Sequence, residues 1–300
     1  MFGKTLIALA SLALLGVVPP STTSQRSASA SKDIAGACGD RDGWSDPAPP
    51  AHIHGHTWYV GTCGITVLLI ETTGGLVLID TGPADAAPHV LANVRALGFD
   101  PRQIKWVLMT HEHFDHVGGM DKLLKETGAH LVTGTGAVEV MRTGQPASDD
   151  PQVSWLAKEP MKPVKVNRVL GHRQALQVGN TVFTIHANPV HSPGSTSWTW
   201  RSCESGACLT IAYADSNSTI STDEYHFSDH PARVEAAREG LRVIEALPCD
   251  LLLTPHPGQS ALLERLSGAQ PMIQPRACMA YSAKGSMRLA DRLAREAETK

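Results

Sequence analysis

The feature that most constrains this sequence is a short run of histidines and acids at Thr110–His116, which reads T-H-E-H-F-D-H directly after an apolar, β-branched segment. In an extended segment alternate side chains point the same way, so His111 and His113 can reach one metal ion together. Asp115 and His116 follow where the chain turns into a predicted helix, and they can reach a second ion. Imidazole and carboxylate groups suit Zn²⁺, whose catalytic sites keep one position open for water. The run therefore predicts a zinc centre at the end of a buried strand.

Two zinc ions need more ligands than this run supplies. Of the 14 histidines, His191 lies in P-V-H-S-P-G and His256 in L-T-P-H-P-G, and each follows a predicted strand. Functional side chains collect on loops held by rigid strands, so we interpret both as ligands. Asp80, at the end of another strand, is interpreted as a residue that orients a ligand, with a simple turn aspartate as the alternative. Three alternating histidines are predicted to line an exposed edge near the pocket: His52, His54 and His56.

The order of predicted elements indicates the fold. Strand-like segments lie at Trp58–Val60, Thr66–Ile70, Leu76–Ile79, Ile104–Met109, Thr181–His186, Ser197–Arg201, Leu209–Tyr213 and Asp250–Leu253. Helices are predicted at about Ala86–Leu97, Gly118–Glu126, Pro231–Leu247 and from about Arg276. Strands followed by helices in each half predict one α/β domain, a four-layer sandwich of two sheets packed face to face with helices outside. The proline-rich segment Thr143–Pro163 is predicted to be a long functional loop.

The first thirty residues have the composition of a secretory signal. Lys4 supplies a positive charge, Leu6–Val18 is apolar, and a spacer rich in Ser and Thr ends in Ala28-Ser29-Ala30. The apolar stretch is shorter than the roughly 20 residues of a membrane span. We expect cleavage after Ala30, a single mature domain over residues 31–300, a periplasmic location and no membrane association; an uncleaved anchor or a lipoprotein is the alternative.

Composition excludes some classes of partner. Hydrophobic residues make up 42% of the chain, which is enough for a sizeable core. The formal net charge of −3 leaves no basic footprint, so we expect no nucleic-acid partner. No long heptad pattern predicts assembly, and a monomer is the default expectation.

The six cysteines have a meaning in an exported chain, where an even number favours disulfides. Six cysteines allow 15 pairings. Cys203 and Cys208 flank four residues between two strand-like segments, so a hairpin would bring them within bonding distance.

The motifs together resemble the metallo-β-lactamase superfamily, whose signature is a strand, an H-x-H-x-D-H run, a helix, a later His-Ser-Pro-Gly and a further His after a strand. More closely, the sequence resembles subclass B3 of that family, from about Cys38 to the last helix. The passages that carry this closer resemblance are Gly61–Ile65, Thr110–Gly119, Ser197–Glu204, Tyr213–Ser216 and Thr254–Pro257.

The resemblance implies the αβ/βα sandwich, two Zn²⁺ ions and a set of site residues. One ion would be held by His111, His113 and His191, and the other by Asp115, His116 and His256. Asp115 would also orient the nucleophile. The carboxylate of the substrate would bind Ser216 and Ser218, and Gln152 would line the pocket. The implied disulfides are Cys38–Cys63, Cys203–Cys208 and Cys249–Cys278.

The activity implied by the resemblance is zinc-dependent hydrolysis of the β-lactam amide bond by a metal-bound hydroxide, which confers antibiotic resistance. Its small-molecule substrates would be penicillins, cephalosporins and carbapenems. The main alternative is a lactonase or thiolesterase of the same fold, because those enzymes resemble one another in placing a metal-bridging Asp where this chain aligns Ser216. A one-residue slip that turned Asp215 toward the metals would favour that alternative. A zinc-binding protein without catalysis is the third hypothesis.

Overall fold

The structure is a computed structural model that describes residues 33–298. The predicted signal segment, residues 1–30, lies outside the described residues. None of the helices within 33–298 combines the length and apolar character that a membrane span needs.

Twelve strands of the described chain form two mixed sheets. The first has seven strands in chain order, antiparallel from β1 to β4 and parallel from β4 to β7. These strands are β1 (Ala51–His54), β2 (Thr57–Tyr59), β3 (Leu68–Thr72), β4 (Gly75–Ile79), β5 (Ile104–Leu108), β6 (His130–Gly134) and β7 (Val166–Leu170). The second sheet has the order β12-β11-β10-β9-β8, in which only β11 and β12 are parallel. Its strands are β8 (Ala175–Val178), β9 (Thr181–Ala187), β10 (Thr196–Glu204), β11 (Ala207–Tyr213) and β12 (Leu251–Leu253).

Nine α-helices accompany the sheets in the described chain. They are α1 (Ile34–Cys38), α2 (Ala87–Ala96), α3 (Phe114–Val117), α4 (Met120–Thr127), α5 (Val138–Thr143), α6 (Val153–Leu156), α7 (Pro231–Glu245), α8 (Leu262–Leu266) and α9 (Ala277–Glu298). Short 3₁₀ turns occur at Pro101–Gln103, Thr135–Ala137, Phe227–Asp229 and Pro257–Ser260.

The layering follows from strands that are apolar on both faces. In β4, Val77 and Ile79 join the core between the two sheets, whereas Leu76 and Leu78 join the core under α2 and α4. The second sheet repeats this arrangement, because its inner residues enter the central core and Leu252 of β12 packs with α7 and α9. Alternate side chains on a strand point to opposite faces, so each sheet contacts its partner sheet on one side and helices on the other. The predicted four-layer sandwich is confirmed.

Several elements differ from the sequence-based expectation. The helix predicted at Gly118–Glu126 is α4 (Met120–Thr127), but the short helix α3 before it was not predicted, and the proline-rich loop contains the single turn α6. Strands β1, β6, β7 and β8 were not predicted. β1 is an edge strand, as expected for its histidines, but His54 contacts Glu204, the last residue of β10, at 3.3 Å. The other end of β10, Thr196, adjoins Thr110, where the histidine run begins. Glu204 lies eight residues from that end, about 26 Å at 3.3 Å per residue. The prediction that His52, His54 and His56 lie near the pocket is therefore wrong.

Three disulfides join the six cysteines, in the pairing that the resemblance implies: Cys38–Cys63, Cys203–Cys208 and Cys249–Cys278. The second one lies in the predicted hairpin, where Cys203 and Cys208 are directly opposite in β10 and β11. Ser205 and Gly206 make the turn, and both have positive φ, as a tight two-residue hairpin requires.

Candidate metal centre

Three loops bring the predicted ligands to one edge of the sandwich. The H-E-H-F-D-H run follows β5 of the seven-stranded sheet, whereas His191 follows β9 and His256 follows β12 of the five-stranded sheet. The run changes conformation partway: His113 is extended (φ −87°, ψ 150°) and caps α3, which carries Asp115 and His116. This change is the turn into a helix that the sequence predicts, and it directs the two halves of the run to different groups.

Asp80 holds the start of the run, and its neighbour holds the end. The Asp80 carboxylate accepts hydrogen bonds from the Thr110 backbone N–H (2.7 Å), the Thr110 hydroxyl (2.8 Å) and the Tyr213 hydroxyl (3.0 Å). Its Oδ2 lies 3.7 Å from Nδ1 of His116, and Thr81 donates its backbone N–H to the carbonyl of His116. Asp80 adopts a left-handed conformation (φ 64°), which the surrounding hydrogen bonds maintain.

The first ligand group consists of His111, His113 and His191, which are all buried and can place one ligand atom each within 4.8 Å of the others. Their ring centroids lie 4.7 to 4.9 Å apart. Nε2 of His111 is a buried nitrogen with no hydrogen-bond partner among the described residues. A buried polar atom without a partner costs free energy unless something satisfies it, and a metal ion at this point would do so.

The second ligand group contains Asp115, His116 and His256. Oδ2 of Asp115 lies 3.1 Å from Nε2 of His116 and 3.5 Å from Nε2 of His256, and the two nitrogens are 3.3 Å apart. Ligands at 2.0–2.1 Å from a tetrahedral ion are separated by about 3.3 Å. The spacing and the donor types of this group therefore fit zinc.

Four of the candidate ligand histidines each have an imidazole ring that is hydrogen-bonded through the nitrogen facing away from the ligand group. The acceptors are Asp215 Oδ1 for Nδ1 of His111 (2.9 Å), Asp150 Oδ2 for Nε2 of His113 (2.9 Å), the Ser218 carbonyl for Nδ1 of His191 (3.1 Å) and the Gly64 carbonyl for Nδ1 of His256 (3.2 Å). A nitrogen that faces such an acceptor carries the proton, so the other nitrogen of the neutral ring offers a lone pair. This arrangement is typical of metal ligands.

Electrostatics favour the neutral ring for His111 and His191. Burial, with the charges of His116 and His113, holds the pKa of His111 well below its usual range. Burial and the neighbouring His111 and His113 lower the pKa of His191 in the same way. Burial alone would raise the pKa of Asp115, but the adjacent His116 outweighs it and the pKa is lowered. Burial alone would lower the pKa of His113 and of His116, but the neighbouring carboxylates outweigh it: Asp150 raises the pKa of His113, and Asp115 raises that of His116 to about 10. The metal-free centre thus has neutral rings at His111 and His191, and a divalent cation would displace the additional protons of His113 and His116.

The predicted substrate-binding residues lie beside the first group. The Ser218 hydroxyl is 3.0 Å from Nδ1 of His191, and the Gln152 amide nitrogen is 3.4 Å from Nε2 of the same ring. The hydroxyl of Ser216 is buried and has no hydrogen-bond partner among the described residues. Both serines lie beyond the end of β11, so strand alternation does not govern their directions.

Asp215 does not belong to either cluster of possible metal ligands in the described chain, which are His111, His113 and His191, and His111, Asp115 and His116. It lies behind His111, where its carboxylate accepts the Nδ1–H, and its own backbone N–H donates to the hydroxyl of Ser197. The one-residue slip that would turn this carboxylate toward the metals is therefore absent.

Three residues of the centre carry no sequence signal that we identified. Asp150 lies in the proline-rich loop 37 residues from the ring of His113 that it orients. Glu112 is buried and contacts the turn after His191. Trp44 is 44% exposed, and its ring centroid lies 5.6 Å from that of Phe114 and 6.1 Å from that of His256. Only the contacts of the folded chain identify these residues.

Comparison with known proteins gives a consistent assignment. The family described as the metallo-beta-lactamase superfamily matches residues 60–204. The crystal structure of the metallo-β-lactamase MIM-1 from Novosphingobium pentaromativorans is 50% identical, with a TM-score of 0.87, and the alignment covers 90% of this chain and 99% of that one. MEM-A1, a subclass B3 metallo-β-lactamase from a soil metagenome library, is 34% identical with a TM-score of 0.81, over 86% of this chain and all of that one.

A curated relative matches a shorter segment. A hydroxyacylglutathione hydrolase from Anaeromyxobacter dehalogenans is 32% identical over 132 residues, which are 44% of this chain and 40% of that enzyme. The chain thus spans less than half the length of this relative.

Proposed function

Because the chain belongs to the metallo-β-lactamase superfamily and is a hydrolase of the subclass B3 type, we propose that it hydrolyses the β-lactam amide bond of penicillins, cephalosporins and carbapenems with two zinc ions. The observation that carries the proposal is the position of Asp215 behind His111. Lactonases and thiolesterases of this fold resemble one another in a metal-bridging Asp at the Ser216 position, and here a neutral Ser stands there. The site thus has six candidate ligands, five histidines and Asp115, and within the described residues no additional carboxylate that would bridge the two ions.

We assign the six ligands in two sets of three, in keeping with the two groups. His111, His113 and His191 would hold one ion, and Asp115, His116 and His256 the other. When bound, zinc polarises a carbonyl oxygen and lowers the pKa of a coordinated water from 15.7 to about 7.

The side chains of the protein bind and orient the reactants. Asp115 would bind the second ion through Oδ2, which lies close to Nε2 of His116, and its other oxygen would remain as an acceptor for the attacking water. Ser216 and Ser218 donate their hydroxyl groups to the carboxylate of the substrate. Ser218 can do this while the Nδ1–H of His191 is bonded to the Ser218 carbonyl, because the hydroxyl hydrogen is then free. Gln152 lines the pocket beside His191.

Export to the periplasm is part of the proposal. It rests on the signal-like first thirty residues and on three disulfides, which persist in oxidising compartments. We propose a monomer that acts on small molecules, without a nucleic-acid or membrane partner, and that protects the producing cell from β-lactams.

The test is hydrolysis of a penicillin, a cephalosporin and a carbapenem by the purified mature protein, before chelation, after chelation and after zinc is returned. Aliphatic lactones and a glutathione thioester are assayed in parallel. We expect rapid opening of the lactams that is lost with the chelator and restored by zinc. Brisk cleavage of a lactone or thioester without lactam turnover would establish the alternative function instead.

Two histidine variants calibrate this assay. His111→Ala removes a ligand, and we expect it to lower turnover by about 10²-fold or more. His52→Ala is the matched control, because its ring contacts the Gly55 carbonyl and the Trp58 ring within the β1–β2 hairpin and neither ligand group, so the variant should retain the wild-type rate.

A further inference from the structure

Glu112 lies between two ligands of the first group but faces away from that group. It is 3% exposed. Its carboxylate contacts a turn about 80 residues further along the chain: Oε2 accepts the hydroxyl of Ser192 at 2.9 Å and Oε1 accepts the backbone N–H of Gly194 at 2.8 Å. Both carboxylate oxygens are thus used on a single turn.

That turn is built closely around the carboxylate. The backbone N–H of Ser192 and its hydroxyl both contact the Ser195 hydroxyl, at 3.0 and 3.1 Å. A Cβ atom at Gly194 would lie 2.4 Å from Oε2 of Glu112, so only glycine leaves room for the side chain. The carboxylate and the turn therefore have one compatible arrangement.

The contact joins the two segments that supply the first ligand group. Ser192 directly follows His191, whereas Glu112 stands between His111 and His113. We propose that Glu112 is a positioning residue that sets the distance of His191 from His111 and His113, and so determines zinc affinity at the three-histidine group. This inference rests on the proposed function only in requiring that the group binds zinc.

The group needs such a device because its three rings have little attraction for one another before a metal binds. Three imidazole rings with centroids 4.7 to 4.9 Å apart must be held by their surroundings. Each ring has its own hydrogen-bond acceptor, and two of these acceptors, Asp215 for His111 and Ser218 for His191, lie three residues apart on the segment after β11. That segment connects the two rings only through their acceptors. Glu112 links the run to the turn directly, and loss of such outer contacts typically lowers metal affinity by about 10- to 100-fold.

The test measures zinc affinity by competition with a chelating dye. It uses the mature protein and a His256→Ala background, in which the three-histidine group is the one ligand group that keeps all its members. Glu112→Ala should weaken zinc binding at that group by about 10- to 100-fold. Glu112→Gln should bind zinc nearly as tightly as the wild type, because its carbonyl oxygen can accept from Gly194 and its amide can donate to Ser192. Ser192→Ala, which removes one of the two contacts, should give an intermediate loss if Glu112→Ala does not fold.

Glu296→Ala is the matched control, since this buried carboxylate likewise accepts hydrogen bonds with both oxygens from one short segment, here the backbone N–H groups of Phe227 and Ser228. It should lose thermal stability without losing zinc affinity. Wild-type affinity in Glu112→Ala or in Ser192→Ala would overturn the inference. So would equal losses in Glu112→Gln and Glu112→Ala, which would assign the effect to charge.

Zinc affinity is measured without any β-lactam, so a failure of the proposed hydrolysis leaves this result unaffected. A protein that binds no zinc at all would refute the metal centre itself, and this inference with it.

Discussion

Nδ1 of His111 donates a hydrogen bond to Oδ1 of Asp215 across 2.9 Å, and both side chains are fully buried. The bond leaves Nε2 of His111 as the nitrogen that can bind a metal, and it orients the ring. The same bond keeps the carboxylate of Asp215 on the far side of the imidazole from that nitrogen. This contact thus determines the tautomer of His111, and it also keeps a second carboxylate away from the metal-facing side of the ring.

Removal of this acceptor should weaken the first ligand group. We expect Asp215→Ala to lower zinc affinity and turnover by about 10- to 100-fold, because the ring loses its orienting partner. Asp215→Asn keeps an acceptor oxygen and should lose much less. Zinc content after dialysis and kcat measured in excess zinc separate the two effects. If Asp215→Ala kept both values, the orienting role would be wrong.

Ser216→Ala should separate substrate binding from stability. The hydroxyl is buried without a partner among the described residues, so its removal should leave the free energy of unfolding unchanged or slightly raised. KM for a β-lactam should rise more than kcat falls, because the change removes an anchor for the substrate carboxylate. Urea denaturation and steady-state kinetics on one preparation test both parts. A stability loss with unchanged KM would count against the anchoring role.

Glu296 should make stability depend on acid pH. Burial raises the pKa of this carboxyl, but the hydrogen bonds from Arg292, Ser228 and Phe227 outweigh burial and the net pKa is lowered. A lowered folded pKa stabilises the protein above the unfolded value of about 4.3 and loses that contribution as pH falls through the folded pKa. Glu296→Gln should therefore be less stable than wild type at pH 7, and the gap should narrow below about pH 4.

The control for this experiment is Glu239→Gln, since Glu239 is an exposed carboxylate paired with Arg242 on the surface of α7. Its effect on the free energy of unfolding should stay within about 0.5 kcal/mol at pH 7. A constant gap between wild type and Glu296→Gln from pH 7 to pH 3 would refute the assigned pKa direction.

The disulfides should differ in how much they stabilise the chain. Cys249–Cys278 closes a separation of 29 residues and Cys203–Cys208 one of 5. Loop-closure entropy gives about 3.5 kcal/mol for the longer loop and about 2 kcal/mol for the shorter one. Replacement of each pair by alanine, followed by guanidinium denaturation, should show the larger loss for Cys249–Cys278. The reverse order would mean that native-state packing dominates over loop entropy.

The sequence predicted those parts of the molecule that depend on local pattern. Strands such as Leu76–Ile79 are apolar on both faces, and the structure places them between a sheet and a helical layer. The sequence did not predict β6 and β7, because these segments are strands through their pairing in the sheet. β6 (His130–Gly134) begins with an exposed residue, and β7 (Val166–Leu170) is mostly exposed. Tertiary pairing decides such segments, and local preference does not.

The candidate site shows the same division. His111, His113, Asp115 and His116 share one run, so their spacing was informative, and the structure brings His191 and His256 to them. The roles of these six residues remain proposals. Asp150 could not be found from the sequence, since its partner lies 37 residues away and an Asp in a loop is an ordinary residue.

Each ligand group takes side chains from both sheets. The run after β5 belongs to the seven-stranded sheet, whereas His191 and His256 follow strands of the five-stranded sheet. A bound ion is therefore also a cross-link between the halves of the sandwich at its loop-bearing edge. A chain starved of metal keeps its three disulfides but would lose that link, so we expect a protease to cut these loops first. Metal supply would then govern the lifetime of the protein as well as its chemistry.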